Sequence, residues 1–186
     1  MNYYNLIKVG ESFLAKQNIL RPKYESILLF SKINKVNFND YFIDKKKKIS
    51  KKQTKIFFRK IFLRGMGKPL SKIIGQKEFY SRDFFVNSNT LDPRPETELI
   101  IDYIKSFGEK RTKPLKILDL GTGSGCIMIS LYLELKKTIS VTGDGIDISN
   151  DALEIAKKNA AYHNISKKIN FFKSNWFSNV KNKFDI

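Results

Sequence analysis

Cysteine is almost missing from this chain. A lone Cys126 excludes an internal disulfide and fits a reducing compartment, so a cytoplasmic protein is expected. Apolar runs of about 18 residues are absent, which excludes a helical membrane span. The opening "MNYYNLIKVGESFLAKQ" carries neither a signal-peptide core nor a cleavage site. Histidine occurs once and no Cys/His cluster exists, so no metal site is expected. Arginine is scarce as well, six residues against 29 lysines.

The net charge is nevertheless +17, and it is uneven. Residues 1–90 hold 20 Lys/Arg and 6 Asp/Glu, whereas residues 91–186 hold 15 and 12. A basic first half would suit an RNA partner. The plainer reading is a lysine-rich, Asn- and Ile-rich composition set by an AT-rich genome, because nucleic-acid readers favour arginine for bidentate contacts. The run Lys45–Lys48 reads as a solvated loop leading into a helix that starts at Lys51 and Lys52.

The chain is expected to fold as α/β in three parts. Residues 1–75 read as a helical bundle. Leu6, Val9, Phe13 and Leu14 share one helical face, Tyr24, Ile27, Leu28 and Ile33 a second, and Ile56, Phe57, Ile61 and Leu63 a third. Pro22 suits a first turn, Ser50 an N-cap, and Gly65 or Gly67 a stop. Residues 76–92 lose that period, and Phe79, Phe84, Phe85 and Val86 around Ser81-Arg82-Asp83 predict a β-hairpin linking the bundle to the next domain. From residue 93 the pattern alternates: helix after Pro95, strand at Ile117–Leu120, helix, strand ending at Asp147, helix with Asn150 as N-cap and Asn164 past its end, then strand in "INFFKSNW". That alternation predicts a parallel sheet.

The chemistry sits at the C-terminal ends of those strands. "LDLGTGSG", Leu118 to Gly125, is a glycine turn between strand and helix, where the backbone approaches a ligand closely. A dinucleotide site needs a third glycine three residues after the second, and Cys126 occupies that place. Asp119, just before the turn, repels a pyrophosphate and suits a cationic amine. Asp147 lies 26 residues past Gly121, where a carboxylate accepts hydrogen bonds from two ribose hydroxyls. Trp176 follows the third strand and offers an aromatic face to an adenine, and the Asn175 amide oxygen could accept from an adenine amino group. Taken singly, Asp147 reads equally as a helix-cap acid and Trp176 as core. Together they occupy successive strand ends, where open α/β sheets bind ligands. S-adenosylmethionine carries the amine, ribose and adenine that these residues would meet. His163 reads as a helix C-terminal residue facing the helix dipole, and Cys126 as a small core residue.

The chain resembles the bacterial release factor glutamine methyltransferases of the HemK type. The resemblance runs through "RPKYESILLF", "GKPLSKIIGQKEFY", "LDPRPETE", "DLGTGSG", "GIDIS" and "SNWF". It implies an N-terminal helical substrate-recognition domain, a hairpin, and the first half of a Rossmann-like class I methyltransferase sheet. It implies that Asp119, Gly121, Thr122, Gly123, Ser124, Gly125, Asp147, Asn175 and Trp176 bind S-adenosylmethionine, and that Arg94, Pro95 and Thr97 lie by the mouth shared by cofactor and substrate. Lys72, Asp92 and Asn175 depart from the family pattern, standing for tyrosine, an apolar residue and aspartate; Asn175 would be the weaker acceptor for adenine.

The implied reaction is methyl transfer to the side-chain amide of the glutamine in the Gly-Gly-Gln loop of peptide chain release factors. An amide nitrogen shares its lone pair with its carbonyl, so catalysis would rest on positioning. The family grips that amide with Asn-Pro-Pro-Tyr after a fourth strand, and no such run occurs in these residues. Phe184-Asp185-Ile186 read as the opening of that strand. In the family sheet the first strand lies between the second and the fourth, so Ile117–Leu120 is expected to be an uncovered, aggregation-prone edge. The chain alone is expected to show no methyl transfer and little cofactor affinity, and to be a monomer without a membrane partner. Two other classes remain: a nucleic-acid adenine N6-methyltransferase, and a non-catalytic binding fragment built on the helical domain.

Overall fold

The computed structural model describes residues 1–43 and 46–186 and divides into two units, Met1–Ile74 and Gly75–Ile186, each with its own core. The first unit is helical: α1 (Tyr3–Lys16), α2 (Pro22–Asn34), α3 (Asp40–Ile43), α4 (Lys51–Gly65) and α5 (Leu70–Ile74). In α1 the buried stripe is Tyr3, Leu6, Ile7, Gly10 and Leu14, while Val9, expected inside, is half exposed. The stripe runs through a glycine because the neighbouring helices come too close for a side chain. A Cβ on Gly10 would lie 2.5 Å from Ser26 Oγ and 2.8 Å from Phe57 Cζ. The Ser26 hydroxyl is buried there and donates to the Ile7 carbonyl at 2.9 Å. For the same reason α2 buries Ser26, Ile27, Leu29, Phe30 and Ser31 and leaves Tyr24 half exposed.

Helix ends in this unit follow their residues. Ser50 and Gln53 form a reciprocal capping box at the start of α4. Its C-cap is Met66, and Gly67 beyond it takes φ of 88°. A bidentate pair between Arg64 and Glu25 ties α4 to α2. Of the lysine run, Lys45 lies outside the described residues. Lys46 and Lys48 are exposed, and the backbone at Lys47 and Lys48 bridges the N-terminus, the Tyr3 amide donating to the Lys47 carbonyl at 3.0 Å.

The second unit starts with the hairpin β1 (Gln76–Phe79) and β2 (Arg82–Phe85), paired antiparallel. Tyr80 and Ser81 make the two-residue turn at φ of 48° and 57°, the hand that fits the twist of the strands. The segment expected to link two domains is instead built into this unit, with Phe79 and Phe84 fully buried in one core with Ile101, Leu115 and Ile129. A single turn at Pro95–Thr97 leads into α6 (Glu98–Glu109). Next come β3 (Leu115–Leu120), α7 (Cys126–Leu135), β4 (Val141–Asp147), α8 (Asn150–Tyr162) and β5 (Ile169–Lys173). The three strands form a parallel sheet ordered β3-β4-β5, with Leu118 opposite Asp144 and Gly145 opposite Phe171. Ser149, not Asn150, caps α8 through its hydroxyl, and Asn164 beyond the helix takes φ of 59°.

The free side of β3 is not bare. The Asp185 amide donates to the Lys116 carbonyl at 2.8 Å and the Leu118 amide donates to the Ile186 carbonyl at 2.9 Å. The Asp185 carboxylate also accepts the Lys116 amide at 2.9 Å and pairs with Arg111 at 3.1 Å. Residues expected to open a further strand beside β3 therefore already bond to its edge.

Candidate functional site

The site is built where β3, β4 and β5 end. Beyond β3, Gly121, Gly123 and Gly125 take φ of 76°, 55° and 78°, which side chains with a Cβ disfavour. Space beside Gly121 is open within 4 Å of where a Cβ would stand. The loop is anchored from below: the Gly121 and Thr122 amides both donate to the Ile146 carbonyl, at 2.9 and 2.8 Å.

Asp147 ends β4 with its carboxylate held from two sides. One oxygen accepts the Gly123 amide at 2.9 Å and the other accepts the Ser149 amide at 2.9 Å. Each oxygen retains a lone pair for another donor. Asp119, two residues before the glycine loop, accepts the Thr122 hydroxyl at 2.7 Å. Burial pushes its carboxyl above the ordinary aspartate range, with the Thr122 hydrogen bond acting against that shift.

After β5 the chain folds into a turn around a buried Ser174. Its hydroxyl donates to the Trp176 carbonyl at 2.6 Å and accepts the Asn179 amide at 3.1 Å. Trp176 takes φ of 50°, rare for a bulky residue, and the residue is 72% exposed. Leu120, Gly121, Ile146, Asp147, Ile148, Ser174, Asn175 and Trp176 enclose a half-open cavity of about 250 Å³.

Of the residues singled out from sequence, Gly121, Asp147, Asn175 and Trp176 line one cavity, and Gly123 is bonded to Asp147. Thr122 and Ser124 are buried and bond inward, Thr122 to Asp119 and Ser124, through its carbonyl, to Asn159. Arg94 and Pro95 are exposed and Thr97 half-buried on the turn before α6, with the Thr97 amide donating to the Arg94 carbonyl at 3.0 Å; none of the three lines the cavity. Cys126 is buried beneath the loop, and burial pushes its thiol up to about 11, which suits a core residue rather than a nucleophile. Among the described residues no group of three His, Cys, Asp or Glu could hold a metal.

His163 caps the C-terminal end of α8 as expected, but its ring is turned to another partner. Its Nε2 lies 3.0 Å from the Asp83 carbonyl of the hairpin, and its ring packs 4.9 Å from Phe84. Burial holds its pKa below the usual histidine value, so the neutral ring donates to a carbonyl across the unit instead of answering the helix dipole as a cation. Sequence reasoning also missed Ser174 and Asn159. Asn159 had a readable signal: it stands on the buried face of α8 with Ala152, Leu153, Ala156 and Ala160, where a polar residue needs partners.

A family model described as a methyltransferase domain matches residues 111–186. Over 176 residues the chain is 32% identical to the release factor glutamine methyltransferase of Agrobacterium fabrum, covering 93% of this chain and 60% of that one. It is 39% identical over 165 residues to the protein of the same name from Buchnera aphidicola subsp. Schizaphis graminum, covering 89% and 58%. It is 36% identical over 205 residues to a bifunctional methyltransferase of Rickettsia bellii, covering 95% and 36%. The chain thus spans about 60% of the length of the release factor methyltransferases it matches. The second unit has the alternating helices and parallel sheet expected from its sequence, with three strands, and the methyltransferase-domain match falls within it.

Proposed function

We propose that this chain, a homologue of proteins named release factor glutamine methyltransferase, carries the methyl-donor half of such an enzyme. The observation that carries the reading is the held Asp147 carboxylate beside the open Gly121 turn and the Trp176 indole, all on one cavity. S-adenosylmethionine fits this set chemically. Asp147 has the acceptor capacity for two ribose hydroxyls, and Trp176 and Ile148 offer apolar surface for adenine. Asn175 would accept from the adenine amino group. Asp119 would face the cofactor's ammonium, a cation that would offset the cost of its own buried charge. The cofactor when bound supplies an electrophilic methyl on its sulfonium; the protein orients it.

The acceptor is the side-chain amide of a glutamine in the Gly-Gly-Gln loop of release factors, a reading supported by the names of the relatives and by the PRPETE segment at Pro93–Glu98. Arg94, Pro95 and Thr97 are the residues of that segment proposed to border the shared mouth, and residues 1–75 are proposed as the part that recognises the factor. The protein would act in the cytoplasm as a monomer.

The chain's single tryptophan is on the cavity, so its fluorescence is the test. Titration with S-adenosylhomocysteine is expected to change it weakly but saturably, in keeping with the low affinity expected of this chain alone, and no change up to millimolar ligand would overturn the donor reading. For the acceptor, immobilised chain is expected to retain a release factor in the presence of competing RNA. Retention of RNA or DNA with no retention of the factor would favour the nucleic-acid reading instead.

A further inference from the structure

We infer that Asn159 is a positioning residue for the glycine loop, setting the loop against the β-hairpin from inside the core. Its side chain is fully buried in the last turn of α8. Its Oδ1 accepts the Phe85 amide at 2.7 Å, and its Nδ2 donates to the Phe85 carbonyl at 3.0 Å and to the Ser124 carbonyl at 2.8 Å. Both amide hydrogens are therefore used, one on the last residue of β2 and one on the loop.

Local preference does not explain an asparagine here. Asparagine is a poor helix former, and a buried amide costs free energy unless its partners are present. The flanking positions Ala152, Ala156 and Ala160 show that small apolar residues fit this face. What the amide adds is a fixed point for Ser124, which lies between two glycines in the left-handed region. Gly123, next to that fixed point, presents the amide that orients Asp147. Asn159 thus acts on the cavity through Ser124 and Gly123 without touching it. Its role in cofactor binding rests on the methyl-donor reading; its role in ordering the loop does not.

The test compares Asn159→Leu and the gentler Asn159→Ser with His163→Gln. The last variant cuts a different tie between α8 and the hairpin and leaves Ser124 alone. Amide hydrogen exchange at Gly121–Gly125 is expected to speed up about tenfold or more in the Asn159 variants and to stay at the parent rate in His163→Gln. Affinity for S-adenosylhomocysteine, read at Trp176, is expected to fall about tenfold in the first pair and less than about twofold in the control. Asn159 variants that melt earlier yet keep parent exchange in the loop would overturn the inference and leave Asn159 as core packing. If the parent shows no ligand response, the donor reading fails, and the exchange comparison still decides the role of Asn159.

Discussion

The Asp147 carboxylate accepts the Gly123 amide hydrogen at 2.9 Å. A residue at the end of one strand is thereby aimed by the loop that follows its neighbour. Replacing it with asparagine keeps the shape but turns an NH2 group toward Gly123 or Ser149, leaving two donors facing each other. Asp147→Asn is expected to weaken S-adenosylhomocysteine binding about tenfold or more, the effect of losing one to two charge-assisted hydrogen bonds. A fluorescence titration measures it, and a variant that binds like the parent would place the ribose contact elsewhere.

Asp119 should reveal itself by pH. Burial raises its carboxyl pKa in the folded chain. Its contribution to stability is therefore fully present below the unfolded value, about 3.9, and is lost as pH rises through the folded value. Asp119→Asn does not titrate, so its melting temperature relative to the parent should climb from about pH 4 upward and then level off. Its cofactor affinity should drop at every pH above that range. Parallel thermal melts with and without ligand separate the two effects; a variant less stable than the parent at neutral pH contradicts the assignment.

His163 gives the opposite slope. Its pKa is lowered by burial, so its contribution is present above the unfolded value of about 6.5 and is lost as pH falls through the folded one. Denaturant midpoints of the parent should decline between about pH 7 and about pH 5, with His163→Gln, which has no titrating ring, declining less. Equal slopes for the two proteins would mean that the ring is solvated at both pH values.

The glycines of the loop should not be equivalent. A Cβ on Gly125 would lie 3.1 Å from both Ala156 Cβ and Ile129 Cδ1, at φ of 78°. Gly121 has a similar φ of 76° but open space beside it. Gly121→Ala is expected to cost about 1–2 kcal/mol from backbone strain alone, and Gly125→Ala more, because crowding adds to strain. Urea unfolding of both variants checks the order, and a Gly125→Ala protein as stable as its parent would mean that the loop rearranges freely.

Much of this was legible from residue order. Glycines between an apolar strand and an apolar helix, an acid at the next strand end, and an aromatic after the third can be placed by periodicity and spacing, since each depends on neighbours within a few residues. Val9 is half exposed and His163, at the end of α8 as expected, turns to the hairpin because their surroundings are set from far along the chain, whereas the α8 cap differs by a single local step, from Asn150 to Ser149. Val9 is displaced by how closely α2 and α4 approach Gly10. His163 is claimed by a hairpin 80 residues earlier. Asn159 stands out in sequence as a polar residue on the apolar face of α8, but its partners, like those of Ser174, are set by the three-dimensional fold.

The turn after β5 has one more consequence. Trp176 stands outward in a backbone conformation that a tryptophan seldom adopts, and the Ser174 hydroxyl holds its carbonyl from below. The conformational cost of that pose is met during folding, within the 5-residue reach of Ser174, Ser178 and Asn179. A planar ligand arriving at the cavity would meet an indole whose backbone is already set, so little further ordering of this turn would be subtracted from its affinity.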